Sequence, residues 1–182
     1  GCVLRADITE PANWRSARHY DAWLKCHNLV GVSGVDTRRL TRRIRDLGAP
    51  NAVIYHDPCG QFDIAALQGK AAGWPGLKGM DLAKEVTCRQ TYGWDETNWT
   101  LGQGYGKQTD PRFHVVAVDF GAKRNILRCL AAAGCKVTVV PASTSAEDIF
   151  AHNPDGIFLS NGPGDPAATG AYAVPTIKAL VE

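Results

Sequence analysis

The rhythm of apolar positions along this chain changes near residue 110. Beyond Pro111 the apolar residues fall into regular blocks: Val115 to Val118, then Ile126, Leu127, Leu130 and Ala133, then Lys136 to Val140, then Ile157 to Leu159. Short apolar runs bounded by turn residues predict buried strands, and the three- and four-residue spacing from Asn125 to Ala133 predicts a helix. Gly134 is placed to stop that helix. Ser145, followed three residues later by Asp148, resembles a capping box for a short helix through Phe150 and Ala151. Asn153-Pro154-Asp155-Gly156 turns the chain into the strand at Ile157, and a further helix is expected from about Tyr172. Strand, helix, strand, helix, strand with crossovers of this length predicts an α/β fold, a doubly wound parallel sheet covered on both faces. Ligands of such sheets bind at the carboxyl ends of the strands, where Asp119 and the segment after Leu159 both lie.

Before residue 110 the pattern is less regular. Val3 and Leu4 form a short apolar piece, and Tyr20, Trp23, Leu24 and His27 recur at helical spacing. Leu29 to Val32 is a strand candidate ended by Gly34. Asp36 can cap a helix whose apolar stripe is Leu40, Ile44 and Leu47, with Gly48 as its stop. Ala52 to Tyr55 reads as a strand, and Ile64, Ala65 and Leu67 as one side of a short helix. From Gly73 to Lys107 the chain reads as irregular and anchored by Trp74, Trp94 and Trp99, with only Met80 to Val86 resembling an element. The polar, glycine-rich run from Gly102 to Pro111 predicts a domain boundary, giving domains 1–108 and 109–182.

Composition narrows the function classes. The 182 residues are 45% hydrophobic and 21% charged, ordinary for a globular protein. With 20 Lys+Arg against 18 Asp+Glu the net charge is +2, too small to argue for a nucleic acid or a membrane surface. Arg38, Arg39, Arg42, Arg43 and Arg45 crowd one helix, but no matching basic or aromatic segment follows, so a solvated or protein-contacting face is expected and no nucleic-acid partner. The six cysteines are widely spread without a C-x-x-C, which predicts reduced thiols and a cytoplasmic location. No signal-peptide core or 18-residue apolar run is present, so no membrane association is expected. The histidines have no partner at metal-ligand spacing, and no metal site is assigned. Neither phosphate-loop nor dinucleotide spacing occurs around Gly121-Ala122-Lys123. The chain starts without Met and stops inside an apparent helix, so a fragment is expected.

The sharpest local signal is Ser160-Asn161-Gly162-Pro163-Gly164-Asp165-Pro166, directly after an apolar strand. Gly-Pro-Gly takes the chain sharply off the end of the sheet. Two glycines without Cβ let a ligand approach their amides, while Pro163 has no N–H. The donors on offer are Gly162 and Gly164. A tight strand-to-helix connection without a ligand is the alternative reading.

These residues carry a resemblance. His114 to Arg128, Val140-Pro-Ala, and Pro154 to Pro166 resemble the start of the class I glutamine amidotransferase domain, which implies a flavodoxin-like sheet of which 109–182 is the first half. More narrowly they are similar to the small chain of glutamine-hydrolysing carbamoyl-phosphate synthases. Gly31 to Arg42 and Gly79 to Val86 resemble that family's own small N-terminal α/β domain, whose C-terminal part would be 1–108. The resemblance implies a Cys-His-Glu triad that hydrolyses L-glutamine through a thioester. It also implies ammonia transfer to a large subunit that makes carbamoyl phosphate from bicarbonate with ATP and Mg, in arginine and pyrimidine biosynthesis. The family's nucleophile elbow, histidine and glutamate are expected beyond residue 182. The chain itself is therefore expected to be inactive and to need no cofactor of its own. Cys129, mid-helix, and Cys135, at the amino end of a strand, cannot replace the nucleophile. Gly162 and Gly164 carry over as the glutamine-binding and oxyanion positions. Two other readings stand beside this: another class I amidotransferase, as in guanylate or anthranilate synthesis, and a docking subunit without a nucleophile. The N-terminal segments argue against the first of these.

Overall fold

A computed structural model describes residues 1–181, and these form two compact units, Gly1–Gly76 and Leu77 onward. In the first unit, β1 (Cys2–Val3) pairs in parallel with β2 (Gly31–Val32) across α1 (Tyr20–Cys26). Leu24 of α1 is the one buried apolar side chain of this unit among the described residues. The unit continues through α2 (Thr37–Leu47) and α3 (Ile64–Ala72). Their starts follow from their caps: Asp36 accepts from the N–H of Arg39 at 3.0 Å and Asp63 from that of Ala66 at 2.9 Å. Gly48, at φ 82°, ends α2 as its position predicts. The strand expected at Ala52 to Tyr55 is absent. Those residues have extended-strand chemistry but no neighbouring strand to pair with among the described residues.

The second unit holds α4 (Ala83–Val86), β3 (Tyr92–Trp94), β4 (Glu96–Thr100), β5 (Gly104–Lys107), β6 (Phe113–Asp119), α5 (Arg124–Ala132), β7 (Cys135–Pro141), α6 (Ala146–Ala151), β8 (Gly156–Leu159) and α7 (Pro166–Val181). The main sheet runs β3-β7-β6-β8, with β6 parallel to both neighbours and β3 antiparallel to β7. Alternation along β6 divides the core. Val116 and Val118 pack with Val140, Ile149 and Ala173 on one face, and Ala117 packs with Leu127, Val137 and Val139 on the other. This is the two-faced parallel α/β sheet that the block pattern predicts.

Three differences have physical causes. The stretch from 73 to 107 is not irregular: it supplies β3 to the main sheet and folds β4 and β5 into a bulged antiparallel hairpin. Its glycines conceal the strands: Gly102, at φ 81°, lies in the turn, and Gly104, at φ 78°, opens β5. Trp94, read as an anchor for irregular chain, sits in the core face beneath α5, where its indole N–H donates to Glu96 O at 2.9 Å. The compact units therefore divide earlier than the change of sequence texture at 108. Second, Ala131 rather than Ala133 completes the inward face of α5. Third, α7 starts at Pro166, six residues before the apolar spacing shows it. Asp165 caps it by accepting from the N–H of Ala167, and proline suits a first helical turn.

Candidate functional site at the carboxyl edge of the sheet

The Gly162 loop leaves β8 at the carboxyl edge, beside the turn that follows β6. Ser160 joins the two. Its N–H donates to Val118 O at 3.1 Å, and its hydroxyl accepts from the N–H of Phe120 at 2.8 Å while donating to Asn161 O. Gly162 then lies directly on Phe120: a Cβ there would fall onto the Phe120 carbonyl oxygen and its Cβ. Gly164, at φ 90°, is seated as tightly on another segment. A Cβ on it would stand 2.5 Å from Met80 O and 2.9 Å from Leu82 N. The space that the missing side chains leave is thus filled by the protein's own backbone. The glycines let the loop lie flat on these supports.

Asp165 fastens the far end of the loop. Its N–H donates to Met80 O at 2.9 Å, and its carboxylate accepts from Gly79 N at 2.8 Å and Ala167 N at 2.9 Å. Those two backbone donors hold its carboxyl below the usual range. Asp81 ties the same segment to α7, accepting from Thr169 and Tyr172 hydroxyls while Lys84 Nζ stands 3.0 Å from its other oxygen. Burial alone would push Asp81 up, but the hydrogen bonds and the Lys84 charge outweigh it and the net direction is down.

What the loop leaves open is chemically specific. Among the described residues, no acceptor takes the N–H of Gly162 or of Gly164. Beside them is a hollow of about 340 Å³ walled by Phe120, Leu159, Pro163, Ala173, Val174 and Ile177 among others. Free backbone donors at the rim of an apolar hollow suit a group that carries negative oxygen. Cys88 stands at this edge, its N–H donating to Asp119 Oδ2 at 2.8 Å. Burial, and then the Asp119 carboxylate, push its thiol up, opposite to what a nucleophile needs. Cys129 is exposed on α5, and Cys135 opens β7 at its amino end. No group of three or more metal-ligating side chains occurs among the described residues, and no helix among them is long and apolar enough to cross a membrane.

Sequence reasoning placed Gly162 and Gly164 at this edge but missed their supports, Met80, Leu82 and Phe120, and the cap at Asp165. The Asp165-Pro166 pair was the available signal, since a capping aspartate before proline marks a helix start.

The second unit thus carries a Gly-Pro-Gly loop at the carboxyl edge of an α/β sheet whose central strands are parallel. The family model for glutamine amidotransferase class-I matches residues 116–182. The model for the carbamoyl-phosphate synthase small chain, CPSase domain, matches residues 1–54. Across all 182 residues the chain is 62% identical to the carbamoyl phosphate synthase small chain of Brucella anthropi and 60% identical to that of Brucella ovis. It covers 45% of the length of each of these relatives. The chain belongs to the carbamoyl phosphate synthase small-chain family.

Proposed function

We propose that this chain forms part of the glutamine-hydrolysing subunit of a carbamoyl phosphate synthase, with Gly162 and Gly164 as its oxyanion and glutamine-binding donors. The observation that carries this reading is the pair of glycine N–H groups left without acceptors on a loop fixed at both ends. In the reaction a cysteine thiolate attacks the side-chain carbonyl carbon of glutamine, and the carbonyl oxygen takes the displaced electron pair. Preorganised N–H donors stabilise that oxygen most in the transition state. The C–N bond then breaks, ammonia leaves with a proton delivered by histidine, and water hydrolyses the thioester to glutamate.

We place the cysteine, histidine and glutamate on sequence beyond residue 182, and assign ATP and Mg to a large synthetase subunit that receives the ammonia. The match of residues 1–54 to the small-chain model supports this enzyme over an amidotransferase of guanylate or anthranilate synthesis. The test is a glutaminase assay of the full-length protein assembled with its large subunit, beside the 182-residue chain alone. The assembled enzyme is expected to form carbamoyl phosphate from glutamine, bicarbonate and ATP, and the 182-residue chain to release no ammonia. Use of free ammonia but not glutamine by the assembled enzyme would instead identify a docking subunit.

A further inference from the structure

The turn beneath the Gly162 loop is itself held by one buried carboxylate. Asp119, the last residue of β6, is 7% exposed and is the only buried charged residue among those described. Its Oδ1 accepts from Gly121 N at 2.9 Å and Ala122 N at 2.7 Å, and its Oδ2 from Cys88 N at 2.8 Å. Three backbone donors on one side chain fix the path of Phe120-Gly121-Ala122 relative to the segment entering β3. That path is what the loop rests on. Gly162 lies on Phe120, and a Cβ on Gly121, whose φ is 120°, would stand 3.0 Å from Pro163 Cδ and 2.9 Å from Val86 Cγ2. Phe120 is gripped between the Asp119 turn on one side and the Ser160 hydroxyl on the other.

We infer that Asp119 is a positioning residue for glutamine hydrolysis: by clamping the Phe120–Gly121 turn it sets the height at which Gly162 presents its N–H group. This rests on the reading of the loop proposed above. The Asp119 carboxylate is engaged by the N–H groups of Gly121, Ala122 and Cys88. It acts through the turn, and a displacement of the loop by about 1 Å is enough to cost on the order of 100-fold in rate.

The test compares Asp119→Ala and Asp119→Asn with the parent in the full-length, assembled enzyme. Rates with glutamine and with ammonia are measured for each. Alanine removes all three acceptors. Asparagine keeps an oxygen for Gly121 and Ala122 but turns an amide donor toward the N–H of Cys88. The expected result is a graded loss of glutamine-dependent kcat, on the order of 10- to 100-fold for alanine and less for asparagine. KM for glutamine and the ammonia-dependent rate should stay within about threefold of the parent, as expected when transition-state contacts alone are disturbed. Equal losses of both rates would reduce Asp119 to a stability element and overturn the inference. So would an unchanged glutamine rate in a folded Asp119→Ala enzyme. If that variant does not fold, an Asp119→Asn enzyme with the parent's glutamine rate overturns it equally. A parent without glutaminase activity would defeat the reading of the loop, and this inference with it, whereas an active parent with unaltered variants would defeat this inference alone.

Discussion

Helices α2 and α5 are written in the same pattern and end in different surroundings. Each carries an apolar stripe at helical spacing opposite arginines. The stripe of α5 buries Leu127 and Ala131 against the sheet, in a cluster with Val137 and Val139. The stripe of α2 buries nothing among the described residues: Ile44 is 40% and Leu47 76% exposed. The same holds for the units around them. Apart from Leu24, every buried apolar side chain among the described residues lies at or beyond Ala83. Amphipathic spacing therefore states which face of a helix is apolar, and only the surrounding chain decides whether that face is covered. In α2, order rests on end chemistry, the Asp36 cap and the glycine stop, while in α5 it rests on burial.

Removing a side chain from each core tests this most strongly. Leu127→Ala should cost about 2–5 kcal/mol of unfolding free energy, since it empties a site packed on every side. It is read from urea denaturation followed by Trp94 fluorescence. Leu24→Ala should cost clearly less, because little else is buried around it. A Leu24 variant as costly as the Leu127 variant would erase the distinction between the units.

The distinction also governs what was legible in the sequence. Elements whose signals are local were readable: the cap at Asp36, the Ser145–Asp148 capping box, and the blocks of β6, β7 and β8. The Ser145 cap is present as expected, with Asp148 N donating to Ser145 Oγ at 3.1 Å, while the Asp148 carboxylate takes the Ser145 hydroxyl rather than its N–H. Elements that exist through distant pairing were not. β3 is three residues long and is a strand because β7 lies beside it, forty-odd residues later in the chain. Conversely, Ala52 to Tyr55 has strand chemistry and no strand beside it among the described residues. At the site, the glycine motif fixed the two positions of interest, but Met80, Leu82 and Phe120 meet it through backbone atoms, which leave no mark on side-chain type.

A smaller effect concerns pH and belongs to the second unit alone. Backbone donors hold Asp165 below the usual carboxyl range, so its folded form favours the ionised state. Its contribution is fully present above the ordinary carboxyl pKa of the unfolded chain. It is lost as pH falls through the lower folded value. Asp165→Asn should lower stability in the neutral region and flatten that part of the acid limb of a stability-versus-pH curve for the second unit, so that parent and variant converge at low pH. An acid limb identical in parent and variant would show that the Gly79 and Ala167 contacts carry no net stabilisation.

The most direct test of the account is Gly162→Ala in the full-length, assembled enzyme. A methyl group there meets the carbonyl of Phe120 and must lift the loop from its seat. Two rates and a melting temperature are measured together. The account predicts a loss of about 10²- to 10³-fold in glutamine-dependent kcat, a smaller change in KM, and ammonia-dependent synthesis close to the parent's. Equal loss of both rates with a fallen melting temperature would contradict it, and would leave Gly162 as a packing residue of a strand-to-helix turn.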